Sequence, residues 1–295
     1  MPLAPIQPEK SITQILSDVL FDEMGVQVLV KREDLIHPQV SGNKWRKLKY
    51  NISEAKKQGK PTLLTFGGAY SNHILATAAI GKLEGFRTIG IIRGEEHSPL
   101  NTTLQFAKSC EMQLEYMDRT TYREKNSNLI IAQLQKQFGD FYLIPEGGTN
   151  QFALKGCAEI VKEIESDYDY ICCACGTGGT LAGIIAGLNG EKKAIGFPVL
   201  KGASFLETEI KDLLTDFGCQ ANNWELQLDY HFGGYAKNKP ELKAFIHDFQ
   251  QKHQFEIEFV YTAKLFFGLY DLIQKGYFER GSTILAIHTG GLRKL

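Results

Sequence analysis

Lys44 is the first residue that could do chemistry. It follows the small tripeptide Ser41-Gly42-Asn43 and opens the basic run Lys44-Trp45-Arg46-Lys47. An uncharged lysine amine attacks carbonyl carbon. The second signal is Gly176-Thr177-Gly178-Gly179-Thr180, set between an apolar run and a helix-like one. Glycines let backbone N–H groups converge on an anion, and a following helix N-terminus adds a favourable field. Thr177 and Thr180 add hydroxyl donors. No Gly-Lys-Ser/Thr follows, so this is not a Walker loop. Gly176-x-Gly178 continues as Gly179-Thr180-Leu181, so the dinucleotide fingerprint does not fit either. The loop suits one terminal phosphate; the bland alternative is a tight strand-to-helix turn with no ligand. A phosphate-bearing ligand and a lysine in a separate small-residue loop together point to pyridoxal 5'-phosphate. The Lys44 amine would form a Schiff base with its aldehyde, and its ring would act as an electron sink.

The elements that must position these groups alternate. Strands are expected in VQVLVKRED (26–34), PTLLTFGG (61–68), RTIGIIRG (87–94), QLEYMD, FYLIPEGG, YDYICCAC and KAIGFPVL. Helices are expected from about Trp45 to Gly59, in SNHILATAAIGKLEG, in NTTLQFAKSCEM, from about 126 to 138, in QFALKGCAEIVKEIES and after CGTGG. LQLDYHFGGYA, a helix over about 240–253, FVYT, a helix around 266–274 and STILAIHTGG complete the chain. Alternation of this kind specifies an α/β fold of two open, mostly parallel twisted sheets with helices on both faces. Ligands of such sheets sit beyond the carboxyl ends of the strands. Four strand ends carry glycine pairs beside polar groups: Gly67-Gly68 before Ser71-Asn72-His73, Glu146-Gly147-Gly148, the 176–180 loop, and His288-Thr289-Gly290-Gly291.

The composition is that of a soluble globular protein: 295 residues, 43% hydrophobic, 23% charged, with a formal net charge of −1. No broad attraction to nucleic acid or anionic lipid follows from that balance. MPLAPIQPEK shows no signal-peptide pattern, and no apolar run approaches a membrane span. A cytoplasmic location is expected. Six cysteines include the crowded Cys172, Cys173 and Cys175. No second half-site stands at zinc spacing, so free thiols serving as small apolar residues are expected, and no metal.

Five motifs occur in order: KREDL…SGNKWRKLKY, TFGGAYSNH, CGTGGTLAG, VYTAK and IHTGG. Together they resemble the D-cysteine desulfhydrase and 1-aminocyclopropane-1-carboxylate deaminase family. These are pyridoxal-phosphate enzymes with the tryptophan-synthase-β-like (type II) fold. The resemblance runs from about Lys31 to Gly291. It implies a large cofactor-binding domain of residues 1–46 and 152–295, a small domain of 47–151, a small amino-acid substrate and a homodimer. It implies that Lys44 carries the cofactor and moves protons. Asn72 would bond the ring hydroxyl, and Ser71 would sit near the substrate carboxylate and the transferred proton. His73 matches the desulfhydrase pattern Ser-Asn-His, where the deaminases typically have Gln. Thr177, Gly178, Gly179 and Thr180 would hold the phosphate. Tyr235 and Tyr261 would flank cofactor and substrate. Ser41 departs from the usual Gly, and Trp45 stands where a smaller residue is usual; packing behind the lysine is its expected role. Arg46, Lys47 and Lys49 read as a solvated helix face or as phosphate-side cations.

Thr262 bears on the reaction. The cyclopropane-opening deaminases have a Glu there beside the pyridine nitrogen, and a carboxylate keeps that nitrogen protonated. A threonine hydroxyl supplies no full charge. The weaker sink suits β-elimination, in which the leaving group drains the carbanion. The expected reaction is therefore desulfhydrase-like, converting D-cysteine to pyruvate, ammonia and sulfide. Cyclopropane opening to 2-oxobutanoate is the rival of the same class, and a non-catalytic phosphate-ligand-binding α/β protein is the rival of another.

Overall fold

The computed structural model describes residues 3–40, 42–96 and 98–292; Ser41, whose small size the sequence singles out, lies outside them. Ten strands are present among the described residues: β1 (Thr13–Leu16), β2 (Gln27–Lys31), β3 (Thr62–Gly67), β4 (Arg87–Arg93), β5 (Gln113–Met117), β6 (Tyr142–Ile144), β7 (Tyr170–Cys175), β8 (Lys193–Pro198), β9 (Trp224–Leu226) and β10 (Thr283–Ile287). They form two sheets, in the orders β1-β2-β10-β7-β8-β9 and β5-β4-β3-β6. Every pairing is parallel except β1 with β2. The expected mostly parallel α/β architecture is therefore present.

Strand alternation distributes the core. In the larger sheet, Val28, Val30, Cys172, Phe197 and Ile284 face one apolar layer, covered by Leu265, Phe266 and Leu269 of the helix Thr262–Gln274. Leu29, Ile171, Cys173, Cys175 and Leu285 face the other, covered by helices Gln151–Lys162 and Gly179–Leu188. Period-2 alternation with helices on both faces explains why these strands read as continuous apolar runs. All six cysteines are free. Burial pushes the Cys157 thiol up to about 11 and that of Cys175 to about 12, so both stay protonated and pack as apolar groups. The smaller sheet repeats the arrangement, with Leu63 and Leu64 facing opposite layers.

The two sheets meet where the helix Asn43–Lys57 packs against Gln151–Lys162. A Cβ at Gly156 would lie 1.9 Å from the Arg46 carbonyl oxygen, so the two helices touch backbone to backbone at that point. Here the structure overturns the solvated reading of the basic run. Arg46 is 1% exposed and Lys47 2%. Arg46 Nε and Nη2 donate to Glu33 at 2.8 Å each, and Nη1 and Nη2 donate to Glu163 at 2.5 Å. Ser11 donates to the same Glu33 carboxylate. Lys49 pairs with Glu159 at the half-exposed edge. Spacing alone cannot reveal this, because both carboxylate partners lie elsewhere in the chain. Trp45 is half-buried against the small-sheet layer that holds Leu48 and Ile52. The edge strand β1, the short helix Val19–Met24 and the helix Phe205–Asp216 are elements that the sequence pattern leaves unread.

Removing one partner of a buried ion pair strands a charge. Glu33→Ala should destabilise the protein by roughly 3–5 kcal/mol in urea unfolding. Glu33→Met combined with Arg46→Met should cost clearly less; equal loss in both would show that the pair's charges are not what the single substitution exposes.

Candidate active site

Where the carboxyl ends of both sheets converge lies a cavity of about 520 Å3. Its wall includes Lys44, Ser71, Asn72, His73, Thr177, Gly178, Gly179, Thr180, Tyr235 and Tyr261. Five separate chain segments thus meet at one place.

Lys44 sits in the first turn of the helix Asn43–Lys57, entered through Gly42 at φ 58°, ψ −135°. That conformation suits only glycine. A Cβ there would also lie 1.8 Å from the Thr289 carbonyl oxygen. The lysine loop and the last strand end are therefore in direct backbone contact, sealed by Asn43 N–H donating to Thr289 O at 3.3 Å. Lys44 keeps part of its surface on the cavity, but protein surrounds the amine. Desolvation, with the neighbouring charge of Lys47, pushes its pKa down to about 7. The amine is thus substantially uncharged near neutrality, as attack on an aldehyde requires.

Beside it, the helix Gly179–Leu188 starts at Gly178 with no side-chain cap. An uncapped helix start leaves N–H groups for an anion. Asn43 Nδ2 donates to Thr180 Oγ1 at 2.8 Å, tying the lysine loop to this cup. Lys47 Nζ donates to Gly147 O and Thr149 Oγ1 at 2.9 Å and to Thr177 Oγ1 at 3.4 Å. A fixed cation, hydroxyls and open backbone donors together form a donor set that fits a phosphate. The phosphate-side reading of Lys47 agrees with this placement.

Ser71 is the N-cap of the helix Asn72–Glu84, accepting from the N–H groups of His73 at 3.2 Å and Ile74 at 3.4 Å. Its cap role leaves the hydroxyl proton available to the cavity. His73 is 2% exposed. The Thr65 hydroxyl donates to Ile144 O, so it accepts from His73 Nε2 at 2.7 Å. His73 Nδ1 is then a lone-pair acceptor, buried without a partner. Burial and the charges of Lys44 and Lys47 hold the imidazole well below its usual pKa, and it stays neutral. That nitrogen lies on the Gly148 side of the ring, shut off from solvent.

Tyr235 and Tyr261 meet edge to face, with centroids 6.0 Å apart. Lys264, of the Val-Tyr-Thr-Ala-Lys motif, donates to His231 O at 2.9 Å and Gly234 O at 2.8 Å, clamping the loop that presents Tyr235. Thr262 does not join the others. It is fully buried, and its hydroxyl accepts from Glu258 N–H at 2.8 Å, so it is turned into the helix start and does not line the cavity. Glu258 sits behind it, its carboxylate accepting from the N–H groups of Val260, Tyr261 and Thr262. Thr289 lines the cavity instead. Sequence reasoning passed over Asn43, Thr289 and Arg93 as site residues; each stands at a loop or strand end that the topology rule marks as ligand-facing.

The family model described as pyridoxal-phosphate dependent enzyme matches residues 8–290. The chain is 32% identical over 285 residues to a putative 1-aminocyclopropane-1-carboxylate deaminase of Pyrococcus abyssi, covering 92% of this chain and 86% of the relative. It is 28% identical to a D-cysteine desulfhydrase of Klebsiella pneumoniae, covering 92% and 89%. A bifunctional D-cysteine desulfhydrase/1-aminocyclopropane-1-carboxylate deaminase of Arabidopsis thaliana is 30% identical, covering 91% and 73%. The crystal structure of an ACC deaminase homologue superposes with a TM-score of 0.86 at 31% identity, covering 99% and 92%. The lysine, the phosphate-fitting cup and the shared fold converge on one conclusion: this chain belongs to the pyridoxal-phosphate-dependent enzyme family.

Proposed function

We propose that the protein deaminates a small amino acid by pyridoxal-phosphate-dependent β-elimination, with D-cysteine-like substrates giving pyruvate, ammonia and sulfide. The observation that carries this reading is the cavity wall near Tyr261. Thr289, a hydroxyl residue, lines the cavity, while the Glu258 carboxylate beside Tyr261 is taken up by three backbone N–H groups. Of the two threonines, Thr289, not Thr262, is then the hydroxyl residue on the cavity wall. With a hydroxyl rather than a carboxylate at the ring nitrogen, the sink is weaker and a good leaving group is needed.

The bound cofactor supplies an aldehyde and an electron-withdrawing ring. The chain's residues do the rest. Lys44 would hold the cofactor, and its amine would carry the α-proton. Thr177, Gly178, Gly179, Thr180 and Lys47 take the phosphate. Asn72 takes the ring hydroxyl. Ser71 and the helix start behind it hold the substrate carboxylate. The neutral His73 backs the Ser71-Asn72 wall of the substrate site, and Tyr235 and Tyr261 close the site against water. The second reading, cyclopropane opening, is favoured by the names of the Pyrococcus relative and of the superposed structure.

We further propose the division into a cofactor unit of residues 1–46 and 152–295 and a smaller unit of 47–151, supported by the membership of the two sheets. A homodimer is supported by the apolar side chains exposed on and beside the edge strand, Ile12, Ile15 and Val19. A cytoplasmic location is supported by six free thiols. No described helix is long and apolar enough to cross a membrane.

Purified protein given pyridoxal phosphate should be yellow, and Lys44→Ala should lose that band while keeping its fold by circular dichroism. A band that survives in Lys44→Ala would mean attachment elsewhere. The rate at which cofactor-free protein takes up the cofactor should rise with pH through about 7 and flatten above it, because deprotonation of Lys44 at about 7 supplies the attacking amine. An unperturbed lysine would instead keep accelerating toward about pH 10. Assayed side by side, D-cysteine should yield pyruvate and 1-aminocyclopropane-1-carboxylate little or no 2-oxobutanoate. Turnover of the latter alone would reverse the assignment.

A further inference from the structure

A second cavity of about 390 Å3 adjoins the first. It is lined by Arg93, Arg119, Tyr122, Arg123, Lys125 and Glu146, and Arg93 and Glu146 line both cavities. Four cations face one carboxylate, which Lys125 already pairs at 3.1 Å. Among the described residues, Arg93, Arg119 and Arg123 have no carboxylate partner. Arg119 and Arg123 stand four apart on one short helix, a spacing at which like charges repel. The cluster is nevertheless built on a rigid floor. Tyr122 is 3% exposed, with the Arg93 guanidinium 5.8 Å and the Lys125 amine 4.9 Å from its ring centre. Arg93 ends β4 and Glu146 follows β6, so the cavity lies beyond the carboxyl ends of the smaller sheet, where such sheets bind ligands.

We propose that this cavity is an anion-accepting subsite continuous with the active site, taking an oxyanion of the carboxylate or phosphate class. Guanidinium groups pair planar oxyanions through two parallel hydrogen bonds, and a bound oxyanion relieves the mutual repulsion of the cluster. Because two of its residues also line the main cavity, one molecule can span both. The anion is then the distal group of an amino-acid substrate, a source that rests on the amino-acid reading above. The other source is a free inorganic anion.

The test is calorimetric titration of the holoenzyme with isosteric pairs that lack an α-hydrogen: α-methylaspartate against α-methylasparagine, and α-methylglutamate against α-methylglutamine, each as both enantiomers. Inorganic phosphate is titrated separately. In the wild type, one carboxylate should bind at least about tenfold tighter than its amide, the scale of a charge-assisted pair. Arg119→Gln combined with Arg123→Gln should abolish most of that ratio, and raising the salt should shrink it. A lost ratio assigns the anion to the substrate. Phosphate binding that is lost in the double variant, with no carboxylate preference in the wild type, assigns it to a free anion. Neither preference nor phosphate binding in the wild type, or either one persisting in the double variant, overturns the proposal. Binding is read without turnover, so a protein that discriminates these ligands yet releases no pyruvate from D-cysteine keeps the subsite and loses the elimination reading.

Discussion

The bidentate contact between Arg46 and Glu33 is the constraint on which the site depends. Both residues are essentially excluded from solvent. Glu33 lies just after β2 in the large sheet, and Arg46 lies in the helix that leads into the smaller one. A buried guanidinium without its carboxylate would be costly, so the helix start can sit in only one place. Lys44 precedes Arg46 by two positions and Lys47 follows it by one. Holding Arg46 therefore aims one lysine at the cavity and the other at the Thr149 and Thr177 hydroxyls. Glu163, at the end of the helix Gln151–Lys162, completes the clamp from the far side.

Electrostatics follow from this placement. Two amines on one helical turn, in a region shut off from water, disfavour each other's charge. Lys47 spends its protons on a carbonyl and two hydroxyls. Lys44 is left with the cavity, and burial brings it to about 7. Burial, reinforced by Lys47 and by Lys44 when it is protonated, keeps His73 neutral. A nucleophilic amine and an imidazole acceptor thus arise from the same positive neighbourhood, without a carboxylate among their immediate partners.

Glycine sets the distances. Gly42 lets the lysine loop lie against the Thr289 carbonyl, and Gly156 lets two helices touch at Arg46. Each is a place where any side chain would push apart the segments that carry the chemistry. The neutral histidine His288 adds to this. Its Nε2–H donates to Glu256 O and its Nδ1 accepts from Gly290 N–H, and these bonds hold the strand end that presents Thr289.

Much of the protein was legible in its sequence. Apolar runs punctuated by glycine and proline mark the parallel strands, and glycine pairs at the strand ends mark the ligand side, because backbone dihedrals and side-chain period are local properties. Lys44, the 176–180 loop and Ser71-Asn72-His73 were found on that basis, and the tertiary structure brings them into one cavity. What the sequence could not reveal depends on which distant residue supplies a partner. Arg46 and Lys47 look like surface cations until Glu33, Glu163, Gly147 and Thr149 are folded around them. Thr262 looks like a ligand until Glu258 claims its hydroxyl and Thr289 takes the cavity wall. The arginines of the second cavity come from the end of β4 and from the short helix after β5, with Glu146 just beyond β6, and only the sheet order sets them side by side. Local chemistry is written along the chain, whereas burial and partnership are long-range and are decided only when the chain closes on itself.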